Sequence, residues 1–170
     1  MLLNPYRFGG PPSALLTSLV SYWKLDEASG NAIDSHGANT LTDINTVSSA
    51  AGKIGNARDF EADSDERLTC SDNAEFSAGD IDITISGWMK LESLGDDRHC
   101  ISKWNSGANQ REYMVRVEQS LLRMAFYVSS NGTVTTNVAA NNFGAIAIGI
   151  WYFVVAWHDS VNNLVGISVN

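Results

Sequence analysis

Residues 81–91 read IDITISGWMKL, and there Ile81, Ile83, Ile85, Gly87, Met89 and Leu91 alternate strictly with Asp82, Thr84, Ser86, Trp88 and Lys90. A repeat of two puts each set of side chains on its own face of an extended chain, whereas a helix would scatter the isoleucines around its circumference. A half-buried strand of this length needs neighbours beside it and a second layer over its apolar face. The segment therefore commits the chain to a sheet-based core.

The same period recurs along the chain. Leu19, Ser21, Trp23 and Leu25 alternate with Val20, Tyr22, Lys24 and Asp26. Arg67 to Ser71 reads as a short strand with Leu68 and Cys70 on one side, and Cys100 to Trp104, Glu112 to Glu118, Leu122 to Ser129 and Thr133 to Ala139 follow. Glu118-Gln119-Ser120 and Ser130-Asn131-Gly132 supply turns between them, and Asn-Gly predicts a two-residue hairpin. The apolar run Ile146 to His158 has the length of a buried helix, but Gly149 and its Ile, Val and aromatic residues argue for a central strand. Leu164 to Val169 predicts another strand. No amphipathic helix or internal repeat is visible. Only 18% of the residues are charged, which fits a turn-rich chain without surface helices. The predicted fold is an all-β, antiparallel two-sheet sandwich or jelly roll.

Eleven basic against nineteen acidic residues give a net charge of −8. Nucleic acid is not an expected partner, because phosphate binding rests on clustered Lys and Arg. No apolar run of membrane-spanning length occurs, so no membrane insertion is expected. The N-terminus does not read as a secretory leader: its one early charge, Arg7, is followed by Gly9-Gly10-Pro11-Pro12. Cys70 and Cys100 are too few for a disulfide framework or a zinc site, leaving either one bridge or two buried thiols.

Four segments carry a family resemblance. They are Leu19 to Glu27 with Ser29-Gly30; Asp34-Ser35-His36-Gly37-Ala38-Asn39; Gly52 to Phe60, GKIGNARDF; and Ile83 to Lys90, ITISGWMK. Ile101-Ser102-Lys103, Trp151 to Val154 and Val165 to Asn170 follow in the fitting order. Together they resemble the laminin-G-like, concanavalin A-like lectin and glucanase jelly-roll family over residues 19–170. The domain is expected over 15–170, and residues 1–14, where Pro5, Pro11, Pro12 and two glycines interrupt apolar side chains, read as an extended arm. The resemblance also makes Trp23 and Trp88 core residues. Family members continue past a segment like Ile167 to Asn170 into further strands, so either the protein is longer or its closing strands come from elsewhere.

Glucanases of this architecture carry E-x-D-x-x-E on a strand, and Glu61, Asp63 and Glu66 have that spacing. Retaining glycoside hydrolysis needs two carboxylates about 5–5.5 Å apart. Here Ala62, Ser64 and Asp65 lie between them, which reads as a solvated acidic loop, so no catalytic residue is expected. Calcium is the one ion considered, with Asp63, Asp65 and Glu66 as ligands and Asp34 and Asp59 as further oxygen donors; no other cofactor is expected. His36, His99 and His158 lack metal spacing, and no phosphate loop or nucleophile elbow occurs. Trp104, Tyr113 and Arg116 flank the polar loop Asn105 to Gln110, an aromatic platform beside Asn105 and Asn109 that suits carbohydrate.

Two functions compete. One is a non-catalytic virion structural or adhesion protein, a capsid decoration or tail-associated subunit of a bacteriophage. The other is a glycan-binding module of a secreted bacterial protein, with a glycosidase third. The opening Asn4-Pro5-Tyr6-Arg7-Phe8 resembles that of some tailed-phage structural proteins and favours the first. The expected partners are other virion subunits or cell-surface glycan, in a multi-copy assembly. Leu2, Leu3, Tyr6 and Phe8 are the expected docking residues of the arm. The expected location is the virion, made in the host cytoplasm, with the extracellular space as the alternative.

Overall fold

The structure, a computed structural model, describes residues 16–77 and 79–170. The arm residues Leu2, Leu3, Tyr6 and Phe8 lie outside them. Two compact units divide after Asp72. No α-helix occurs among the described residues, and none is long and apolar enough to cross a membrane.

The first unit holds four short strands: β1 (Thr42–Ile44), β2 (Ser48–Ala51), β3 (Asn56–Asp59) and β4 (Arg67–Thr69). β1 pairs with β4 and β2 with β3, both antiparallel. Sequence periodicity misses β1 to β3, which are too short and polar to show it. The GKIGNARDF segment is the β2–β3 hairpin. Gly52 donates its N–H to the Gly55 carbonyl at 2.9 Å, and a Cβ on Gly52 would meet the Asn56 carbonyl oxygen at 2.6 Å. Arg58, on β3, is buried and reaches Asp43 Oδ2 at 3.2 Å and the Val47 carbonyl at 2.7 Å. The expected opening strand at 19–25 is reduced to one bridge between Trp23 and Asp34, because the Asp34–Ser35 segment occupies the Tyr22 backbone groups.

The second unit is a two-sheet antiparallel jelly-roll sandwich. One sheet has the order β11 (Leu164–Val169), β10 (Trp151–Asp159), β5 (Ile83–Lys90). The other runs β6 (Arg98–Asn105), β7 (Gln110–Glu118), β8 (Arg123–Val128), β9 (Thr136–Ala139). Tyr113, Val115, Val117, Met124 and Phe126 from the four-stranded sheet and Tyr152, Val154, Ala156, Ile167 and Val169 from the three-stranded sheet make one core. Ile83, Ile85, Met89 and Leu91 pack against it, on the face their alternation predicts.

The run 146–158 is divided. Trp151–Asp159 is the central strand, while Gly149, at φ +74°, turns the chain before it and donates to the Leu91 carbonyl. Asn131-Gly132 does not make a two-residue hairpin. Residues 129–135 form a longer loop in which Asn131 Oδ1 accepts from the N–H groups of Thr133 and Val134. An Asx turn of this kind competes with the tight hairpin for the same backbone donors. Trp88 is 42% exposed on the outer face of β5 and does not belong to the core. Cys70 and Cys100 form no disulfide, and Cys70 is exposed, against its reading as a buried thiol; at Cys100 desolvation pushes the thiol pKa up to about 12. The β6–β7 register shifts between His99 and Ile101, which takes Cys100 out of the alternation.

Candidate functional site

Along β7, Val115 and Val117 face the shared core, so Met114, Arg116 and Glu118 lie on the opposite face, where Met114 is buried and Arg116 and Glu118 are half-buried. On β8, Met124 and Phe126 face the core and Tyr127 faces outward, opposite Met114 in register. The Arg116 guanidinium lies over the Tyr127 ring, 4.5 Å from its centroid, and Nη2 donates to the Tyr127 hydroxyl at 2.8 Å. That hydroxyl donates to Glu118 Oε2 at 3.1 Å, and Arg116 Nη1 pairs with Asp97 Oδ2 at 2.7 Å. The Trp104 ring meets Tyr127 edge-on, with centroids 6.2 Å apart. Desolvation raises the Tyr127 pKa above its ordinary value; the Arg116 hydrogen bond opposes this and Glu118 adds to it. A guanidinium and two aromatic rings thus lie along the outer face of the four-stranded sheet, held by two carboxylates. Such a surface can stack on the apolar face of a sugar ring and hydrogen-bond to its hydroxyls.

The sequence places Trp104 and Arg116 in this group, and the structure adds Tyr127, Glu118 and Asp97. Tyr127 was recoverable by counting back from the 119–122 turn, since Glu118 opposite Arg123 puts Met114 opposite Tyr127. Tyr113 does not join them: it is buried in the core on the opposite face of β7. Asn105 and Asn109 lie in the tight β6–β7 hairpin. Asn105 Oδ1 accepts from the Ala108 N–H at 3.2 Å, and Asn109 takes a left-handed backbone at φ +55°. The two asparagines therefore shape the turn.

The acidic segment 61–66 connects β3 to β4 and contains a 3-10 turn at Ala62–Ser64. Glu66 Oε2 accepts from the Glu61 N–H at 3.0 Å, and Asp65 pairs with Arg67. The carboxylates of Asp63, Asp65 and Glu66 do not come together as a set within 4.8 Å. A hard cation needs six to eight converging oxygens, so this arrangement does not fit a calcium ion.

The Asp34 loop is a backbone-binding device. The buried Asp34 carboxylate accepts from the N–H groups of Tyr22, His36 and Gly37 through Oδ1 and of Asn39 through Oδ2, at 2.9–3.1 Å. Desolvation raises its pKa, but these donors outweigh it and hold the carboxyl well below the usual carboxylate range. Asn39 extends the loop, donating from Nδ2 to Ser21 Oγ and accepting the Trp23 indole N–H at 2.7 Å through its carbonyl.

A laminin-G-type family model of the concanavalin A-like lectin/glucanases superfamily matches residues 61–170, and the chain belongs to that superfamily. In general terms this is a binding module. The match begins at Glu61, so the Asp34 loop and the β2–β3 hairpin precede it. No curated protein and no solved structure matches the chain.

Proposed function

We propose that the chain is a non-catalytic structural or adhesion protein of a virion whose jelly-roll domain binds cell-surface glycan. The observation that carries the binding role is the Trp104–Tyr127–Arg116 group on the outer sheet face. The use of Glu66 and Asp65 in local turn contacts supports the non-catalytic reading, because a nucleophile and an acid need freely opposed carboxylates. The virion assignment rests on the sequence of residues 1–14. Leu2, Leu3, Tyr6 and Phe8 are apolar side chains that gain roughly 1.5–3 kcal/mol each on full burial, and many copies binding together add avidity. A glycan-binding module of a secreted bacterial protein is the alternative, and it uses the same sheet face.

The binding test is a titration of the protein with host surface polysaccharide, read by calorimetry. Trp104→Ala is expected to weaken binding roughly two- to twelvefold, since stacking on one aromatic ring contributes about 0.5–1.5 kcal/mol. Unchanged affinity in a folded Trp104→Ala protein removes this face from the proposal. Deleting residues 1–14 separates the virion reading from the secreted one. Assembly should be lost while the melting temperature stays within a few degrees of the parent. Assembly that survives the deletion contradicts the virion role of the arm.

A further inference from the structure

On β10, Tyr152, Val154 and Ala156 enter the core, so Trp151, Phe153, Val155, Trp157 and Asp159 lie on the outer face of the three-stranded sheet. Trp88 stands opposite Phe153 on β5, and the two ring centroids are 5.2 Å apart. The Trp157 indole lies over Gly166 of β11, where a Cβ would overlap it. Trp88, Phe153 and Trp157 are all exposed, and an exposed aromatic strip of this kind marks an interaction surface. A strand added beside β11 would lie in the plane of the sheet and leave this face as it is.

The strip ends at two carboxylates. His158 pairs with Ile83, so Asp159 and Asp82 follow as the next cross-strand neighbours, on the outer face. Asp82 Oδ1 accepts from the Ser160 N–H and hydroxyl at 2.8 Å, and Asp159 holds Asn162 through both of its oxygens. Both acids are thereby fixed beside Trp157. An indole next to carboxylates suits an arginine, whose guanidinium stacks on the ring while its N–H groups reach the acids. At the other end of the strip Lys90 Nζ lies 5.5 Å from the Trp151 ring centroid and 3.8 Å from Glu92.

The sequence of the chain carries the complement. Residues 1–14 contain Leu2, Leu3, Tyr6 and Phe8 beside Arg7 and no acidic residue, on a chain of net charge −8. Leu2 to Phe8 span roughly 22–25 Å when extended, within the roughly 30 Å of β10. Residues 9–15 connect them to the described chain, which begins at Leu16. Pro11-Pro12 restricts such a tether to extended backbone, which favours reaching a neighbouring copy over folding back. We propose that Leu2 to Phe8 of one copy dock on the aromatic strip of a second copy, with Arg7 between Trp157 and the carboxylates of Asp82 and Asp159. The proposal rests on the reading of residues 1–14 as an assembly arm and names the surface that receives it. Arm and strip are different surfaces, so the contact either repeats from copy to copy or closes by exchange of two arms.

The test uses the full chain with Tyr6→p-benzoylphenylalanine, photocrosslinked in an equal mixture of isotope-labelled and unlabelled copies and read by mass spectrometry. Crosslinks should join the two isotopes and land on residues 84–88 and 153–157. Sedimentation velocity should show the parent associating as concentration rises, and Arg7→Glu should raise the concentration needed by roughly fivefold or more. Crosslinks confined to one isotope overturn the proposal, because the arm then lies on its own chain. So do crosslinks to any other surface, a parent that does not associate at any concentration, and association that Arg7→Glu leaves unchanged. If deleting residues 1–14 abolishes assembly while the crosslinks land elsewhere, the assembly role of the arm stands and only this surface fails.

Discussion

Gly37 is seated so close to Asp34 that a Cβ on it would lie 2.8 Å from Asp34 Oδ2 and 2.6 Å from the Val20 carbonyl oxygen. The glycine thus allows the loop to wrap its N–H groups around one buried carboxylate. Gly37→Ala should cost about 1–3 kcal/mol, the usual range for overpacking. Asp34→Ala should cost at least about 3 kcal/mol, because it strands several backbone donors together. Urea denaturation measures both, and a loss below about 0.5 kcal/mol in each would mean that the loop is not a stability element.

The same carboxylate gives stability a pH dependence. Its folded pKa lies below its unfolded value, which is about 3.9. Its contribution is therefore complete above the unfolded pKa and is lost as pH falls from about 4 toward the folded value. Melting temperatures between about pH 2 and 6 should show the parent losing stability faster than Asp34→Asn, so that the gap between them narrows in acid. A gap independent of pH contradicts the ionised, hydrogen-bonded state.

On β5 the two faces should respond differently. Ile85 packs against the core, and Ile85→Ala should cost about 2–3 kcal/mol, the lower part of the range for such truncations. Thr84 faces out, and Thr84→Ala should stay within about 0.5 kcal/mol. Equal costs at the two sites would mean that the register is wrong.

Desolvation raises the Tyr127 pKa first, with Arg116 opposing and Glu118 reinforcing. Ultraviolet titration of the tyrosines should show one titrating above the ordinary value of about 10. Glu118→Gln should bring that transition down, because it removes a negative charge beside the phenolate. A transition that does not move shows that the hydroxyl is not bonded to Glu118.

Much of the fold is legible in the sequence wherever one face of a strand is buried. Ile83, Ile85, Val115, Val117, Met124 and Phe126 keep the two-residue period because each alternate position enters the shared core. Legibility fails where side chains replace backbone pairing. Asp34 occupies the Tyr22 N–H, so the alternation at 19–25 produces one bridge and no strand. It fails again where Asn131 closes a loop with its own carboxamide. At the candidate site Trp104 and Arg116 are visible as residue types that bind sugars. Tyr113 and Tyr127 differ only in strand parity, which the hairpin register decides.

Binding without cleavage is tested most directly by incubating the protein with laminarin, lichenan and agarose and counting new reducing ends. Because Glu66 is tied to the Glu61 backbone and Asp65 to Arg67, no release above the uncatalysed background is expected, and Glu61→Gln should behave like the parent. Turnover by the parent that Glu61→Gln abolishes would contradict the non-catalytic reading and make the segment 61–66 an active site.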